Sequence, residues 1–160
     1  RNNATREEVC YVYSKQKNRI LRGPGYESFV YYWMPVSGGI GIHDASWRND
    51  FGGVIYKRDG SHGCINLPWG KARDIYGYIS KGFPVIVYHL AGTESPKGIA
   101  MEQAYAMEQA ITAIGTVSIE SEAAITACRT QYDALDDMAK SYVKNYQILI
   151  DAEKLNLKRK

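Results

Sequence analysis

The sequence predicts an α+β chain: a mostly-β first domain with one helix inserted late, followed by a small three-helix bundle. Three observations carry this reading. Before Gly92, short apolar runs rich in β-branched and aromatic residues alternate with Gly, Pro and Asp turns. Within that half, only Trp69 to Ser80 has helical spacing. Beyond a Gly/Ser/Pro-containing stretch at 93–98 the apolar period becomes helical and stays so.

The runs that read as strands are Glu8 to Ser14, Ser28 to Val36, Gly39 to His43, Gly53 to Lys57 and Pro84 to Tyr88. The 13 Tyr residues are many, and five of them (Tyr11, Tyr13, Tyr26, Tyr31, Tyr32) fall early, which suits a β-rich half. In the inserted helix Ala72, Ile75, Tyr76 and Ile79 share one face, and Gly82 marks its stop. The expected division is a first domain over 1–92, a linker over 93–100 and a helical module over 101–160. That module shows three stripes. Ala104, Met107, Ile111 and Ile114 form the first, ended by Gly115. Ile125, Cys128, Tyr132 and Leu135 form the second, with Ser121 as N-cap. Tyr142, Tyr146, Leu149 and Leu155 form the third, with a break expected near Asn145. The closing Lys158-Arg159-Lys160 reads as a solvated end.

Bulk properties narrow the classes. Hydrophobic residues make up 45% and charged residues 23%, so a packed core is expected and disorder is not. The net charge of +3 is uneven: residues 1–93 hold 12 Lys/Arg against 7 Asp/Glu, and residues 94–160 hold 8 against 10. A mildly basic front half suits an anionic polymer or a substrate carboxylate, and without a basic stripe it argues against nucleic acid. No apolar run is long enough to span a membrane. The sequence opens at Arg1 with neither Met nor signal peptide, so any export signal is expected upstream. Three cysteines make no disulfide framework and leave at least one thiol free.

The chemistry-bearing stretch is Ser61-His62-Gly63-Cys64-Ile65-Asn66, downstream of Gly41-Ile42-His43-Asp44-Ala45. A thiol attacks an amide only if an imidazole takes its proton and preorganised N–H donors meet the oxyanion. Gly63 before Cys64 permits a tight turn that aims successive amides at one point. His43 ends a predicted strand 21 positions upstream of Cys64, where it can serve as base from a neighbouring strand. Blander readings stand beside this one, a buried structural thiol and a hydrogen-bonded structural imidazole. A metal site is a third, since His43, His62 and Cys64 are all potential ligands, although no Cys-x-x-Cys or His-x-x-x-His spacing supports it.

The run from Phe29 to Tyr88 resembles the YkuD-type L,D-transpeptidase catalytic domain, whose signature is a His followed by Ser/Thr-His-Gly-Cys, an apolar residue and Asn or Arg. His43, Ser61, His62, Gly63, Cys64, Ile65 and Asn66 fill it without a gap. The flanks Tyr32 to Val36, His43 to Arg48, Phe51-Gly52-Gly53 and Gly82 to Tyr88 are similar to Gram-positive members. The resemblance implies a YkuD-type sandwich and an acyl transfer on peptidoglycan stem peptides. Cys64 would be the nucleophile and His43 the base, with a backbone carbonyl at Asp44 orienting the imidazole. The amides of His62, Gly63 and Cys64 would meet the oxyanion. Ser61 and His62 would hold the turn and contact substrate, and Asn66 would brace the loop. Asp44, Trp47 and Arg48 would lie on the substrate side, Arg48 pairing either with a substrate carboxylate or in a structural salt bridge. Tyr31 and Trp33 either stack on the stem or belong to the core. Cys10 and Cys128 read as structural. The family needs no metal and no organic cofactor, and carbapenem-type inhibitors are expected to acylate it.

The family's opening Thr-Pro-x-Gly-x-Tyr segment is replaced by Thr5 to Cys10, with Arg6 and Glu8 at the Pro and Gly positions. The opening strands of the sandwich are therefore expected to be missing, which would leave an apolar edge. The tail is similar to a repeat of clostridial and related surface proteins at Ile114, Gly115, Val117, Arg129, Tyr132, Asp133, Leu135 and Asn145. Such modules read as spacers or as ligand-binding elements. Two alternatives to a transpeptidase remain: an L,D-carboxypeptidase using the same cysteine, and an inactive peptidoglycan-binding relic. The substrate implies an exported protein of a Gram-positive-type cell wall.

Overall fold

The structure is a computed structural model that describes residues 5–90 and 92–158. The chain forms two compact units, one up to residue 91 and one from Gly92 onward.

The first unit is built on two small sheets. β1 (Glu8–Tyr11) pairs antiparallel with β6 (Pro84–Val87). A four-stranded sheet runs β2 (Gln16–Gly23), β3 (Tyr26–Ser37), β4 (Ile40–Asp44) and β5 (Ile65–Leu67) in that spatial order. β2, β3 and β4 are antiparallel neighbours, whereas β4 and β5 run parallel. After β1 the chain passes from one sheet to the other: Val12 N–H donates to Phe83 O at 3.0 Å and Tyr13 N–H to Pro35 O at 3.1 Å. Alternation along β3 sorts its faces. Val30, Met34 and Val36 turn inward while Phe29 and Tyr31 stay exposed. Met34 and Val36 join Cys10, Val12, Ile42 and Ile79 in one core, with Ile75 and Tyr76 of α2 (Trp69–Tyr78) packed against it. The helix ends at Tyr78, two residues before the expected Ser80, with Ile79 already extended, and Gly82 turns at φ +88° before β6.

Three differences from the sequence reading have local causes. Gly53 to Lys57 is not a strand; it leads into the short helix α1 (Ile55–Asp59). Gly52 and Gly53 both take positive φ, and the bonds Ile55 N–H to Gly52 O and Lys57 N–H to Val54 O close a turn. β2 carries no apolar alternation because it is an edge strand, exposed and studded with Lys17, Arg19 and Arg22. β5 has three residues, too few for a periodic signal, and it exists through its pairing with β4.

The second unit holds α3 (Pro96–Ala113), α4 (Glu122–Asp133), α5 (Asp137–Tyr142) and α6 (Tyr146–Leu157). The third stripe is thus two helices, parted at the break expected near Asn145, so this unit holds four described α-helices where three are expected. Lys144 N–H, freed by the break, donates to Glu108 Oε1 of α3, and the Asn145 side chain donates from Nδ2 to Glu108 O, both at 2.9 Å. The expected linker is shorter than 93–100, because Ser95 caps α3 and Pro96 occupies its first turn. Ser121 precedes α4 without a side-chain cap bond; the capping box is one turn earlier, at Ser118. The core is Met107, Ile111, Ile125, Cys128, Leu149 and Ala152. Arg129 clamps it from the side, bidentate to Glu153 at 2.6 and 2.8 Å and 3.2 Å from the Tyr146 hydroxyl. No described helix is long and apolar enough to cross a membrane.

Candidate active site

The site lies where the parallel pair β4–β5 begins. His43 is registered opposite Asn66 in β5 and opposite Trp33 in β3, so the three share one sheet face. Continuing the register back by one residue sets Cys64 beside Gly41. Cys64 and His43 are thereby diagonal neighbours on one face of the parallel pair. Gly41 has no room for a side chain: a Cβ there would lie 2.5 Å from the Trp33 ring and 2.8 Å from Met34 O.

His43 is buried, and its Nδ1 lies 2.8 Å from the backbone carbonyl of Asp44. A carbonyl can only accept, so Nδ1 carries the hydrogen and the neutral ring presents its lone pair at Nε2. Burial pushes the His43 pKa down, against smaller upward pulls from the Asp44 carbonyl and carboxylate. Burial pushes the Cys64 thiol up, partly offset by Gly41. Both shifts favour a neutral thiol beside a neutral imidazole at rest. The ring is held between indoles, with centroids 5.7 Å from Trp33 and 5.9 Å from the half-exposed Trp47.

The turn ahead of Cys64 is tied by its own side chains. Ser61 Oγ accepts from Gly63 N–H at 3.1 Å and donates to Cys64 O at 2.7 Å. Gly63 takes φ +105°, a conformation that favours glycine. The Gly63 amide is therefore committed to Ser61, which distinguishes it from those of His62 and Cys64. His62 stacks on Tyr26 at 4.7 Å with ring planes 13° apart. Thr5 Oγ1 donates to Gly63 O at 2.8 Å, reaching across 58 positions.

Several expected positions fall differently. Asp44 is not on the substrate side: strand alternation sends its carboxylate to the opposite face from His43, where it is fully buried and Oδ1 accepts from Tyr32 N–H at 2.8 Å. Arg48 is largely buried and donates to both Asp59 O at 2.7 Å and Asp59 Oδ2 at 2.8 Å, the structural salt bridge rather than a free guanidinium. Asn66 has a buried Oδ1 with no hydrogen-bond partner. Tyr31 is exposed on the face that carries His43, edge-on to Phe29 at 5.0 Å and to Trp69 at 6.4 Å. Trp33 is neither wholly core nor free, since it covers Gly41 and flanks His43. Thr5, Tyr26 and Gly41 hold site positions to which the sequence reading assigns no role. For Gly41 the signal is a glycine two residues before the histidine, and for Thr5 it is the Thr position of the family's opening segment; Tyr26 has none in the local pattern. Among the described residues, no group of three His, Cys, Asp or Glu side chains is placed to hold a metal ion.

Against solved structures, the chain is similar to a cysteine-to-serine mutant of an L,D-transpeptidase from Enterococcus faecium, at 41% identity and TM-score 0.52 over 54% of this chain and 36% of that one. It is similar at 42% identity and TM-score 0.52 to the avibactam carbamoyl form of the enzyme Ldtfm, with the same coverage of 54% and 36%. The ertapenem-acylated catalytic domain from E. faecium matches at 41% identity and TM-score 0.49, over 54% of this chain and 71% of that one. The chain thus spans about a third of the length of the first two. No curated protein sequence matches it. The family model for the YkuD L,D-transpeptidase catalytic domain matches residues 4–87, a little over half of the chain. The chain belongs to the YkuD family of L,D-transpeptidase catalytic domains.

Proposed function

We propose that this chain carries the catalytic centre of an L,D-transpeptidase that joins the third residues of two peptidoglycan stem peptides through a cysteine thioester. The observation that carries the reading is the placement of Cys64 beside Gly41, next to a histidine whose Nδ1 is bonded to a carbonyl. In the reaction Cys64 Sγ attacks the carbonyl carbon of the third stem residue as Nε2 of His43 takes the thiol proton. The carbon–nitrogen bond to the terminal D-Ala then breaks, and the departing amine takes that proton from the imidazole. An acceptor amine attacks the thioester, its proton passes to His43, and the thiol is restored. The amides of His62 and Cys64 meet the oxyanion, while Ser61 holds the turn. Asn66 offers its unpartnered carbonyl oxygen to the site, and Trp47, Trp33 and Tyr31 form the wall along which a stem peptide lies. Every step runs on this chain's own side chains and amides.

The carbamoylation of the relative named Ldtfm by avibactam supports an acylatable nucleophile here. Carbapenem-type compounds are the corresponding inhibitors, and the substrate places the working protein outside the cytoplasmic membrane, in a Gram-positive-type cell wall. The helical unit from Gly92 onward serves as a spacer or wall-facing element of the kind its likeness to clostridial surface repeats suggests. Intact-mass labelling with a carbapenem tests the central claim on wild type, Cys64→Ala and His43→Ala. One adduct that requires Cys64 and forms far more slowly without His43 is the expected result. Folded wild-type protein that takes up no adduct would sink it.

A further inference from the structure

We infer that Thr5 is a positioning residue for the oxyanion site, acting by fixing the peptide between Gly63 and Cys64. This rests on the transpeptidase reading above. A peptide unit is planar, so the carbonyl of one residue and the N–H of the next point in opposite directions along one plane. Holding Gly63 O therefore sets the direction of the Cys64 N–H. Thr5 Oγ1 donates to that oxygen at 2.8 Å. The need for such a hold is local. Gly63 sits at φ +105° with no Cβ to limit rotation on its carbonyl side, so this peptide is the loosest in the turn.

The neighbouring peptides have their own restraint. Ser61 Oγ takes the N–H of Gly63 and gives a hydrogen bond to the carbonyl of Cys64. Between those two bonds only the 63–64 unit is left to an outside partner, and Thr5 supplies it from just ahead of β1, 58 positions away. β1 is itself paired along its length with β6, which anchors the segment bearing the hydroxyl. A donor whose direction is set before substrate arrives stabilises a developing oxyanion without reorganisation.

The test compares two reactions of Cys64 in wild type, Thr5→Val and Thr5→Ser. Carbapenem acylation passes through attack on a carbonyl and needs the oxyanion donors. Alkylation by iodoacetamide occurs at saturated carbon and does not. Valine keeps the branched shape of threonine and removes only the donor. Thr5→Val should slow acylation by about 10- to 100-fold, part of the loss seen when an oxyanion donor is deleted outright. Alkylation should stay at the wild-type rate, which also reports an intact site, and Thr5→Ser should restore acylation. Acylation of Thr5→Val at the wild-type rate would overturn the inference and leave the enzymatic reading standing. So would an equal slowing of both reactions, since Thr5 would then act on the thiol or the fold. A wild-type protein that alkylates but never acylates would remove the enzymatic reading, and the inference with it.

Discussion

Asp44 presents its two ends to opposite faces of β4: its backbone carbonyl lies 2.8 Å from His43 Nδ1, and its carboxylate is buried against the backbone of Tyr32. The imidazole is therefore oriented by a main-chain oxygen that no substitution at residue 44 removes. Asp44→Asn keeps an oxygen for Tyr32 N–H and should leave Cys64 acylation within a few-fold of wild type. His43→Ala should lower it by about 100-fold or more, the scale of a lost general base. Parallel acylation rates decide: a collapse in folded Asp44→Asn would make the carboxylate a working member of the site.

The opposed shifts at His43 and Cys64 fix a pH dependence. Burial lowers the first and raises the second, so near neutral pH the pair is thiol and imidazole rather than thiolate and imidazolium. Thiolate is the nucleophile, so iodoacetamide alkylation should climb about tenfold per pH unit from neutrality and bend only above the ordinary thiol pKa near 8.5. A rate already flat between pH 6 and 8 would indicate a standing ion pair instead.

Gly41 should be intolerant of any side chain. A methyl there meets the Trp33 ring at 2.5 Å and Met34 O at 2.8 Å, and Cys64 lies just ahead of the strand beside it. Gly41→Ala should cost about 1–3 kcal/mol by overpacking, read from denaturant unfolding. It should also displace Trp33 from His43 and slow alkylation. A variant with unchanged stability and rate would show that the sheet yields more easily than this geometry implies.

In the helical unit, Arg129 and Glu153 form a bidentate pair with both side chains about a quarter exposed. A double-mutant cycle with Arg129→Met and Glu153→Gln should return a coupling of about 1–2 kcal/mol, between exposed and fully buried pairs. The Tyr132 and Tyr146 rings, stacked at 4.1 Å with Arg129 beside them, make Arg129→Met the more damaging single change. Simple additivity of the two changes would contradict the bridge.

The sequence by itself determined what repeats locally. Alternation marked β3 and β4, helical spacing marked α2 and the stripes of the second unit, and the run Ser61 to Asn66 with His43 pointed to a thiol chemistry. The strands and helices depend on residues within a turn or a strand of one another, where backbone geometry imposes the pattern, and His43 is tied to Cys64, 21 positions on, by the family signature. Tertiary structure decided what depends on distant partners. Alternation separates Asp44 from His43 but does not say which face is covered, so the burial of the Asp44 carboxylate waited on the core beneath it. Arg48 found Asp59 because two glycines turned the intervening segment into α1 rather than a strand. β2 and β5 carry no period of their own and are strands because their neighbours pair with them. The bond from Thr5 to Gly63 closes a loop of 58 positions, and the pairing of its two ends is not written in the local sequence at either one.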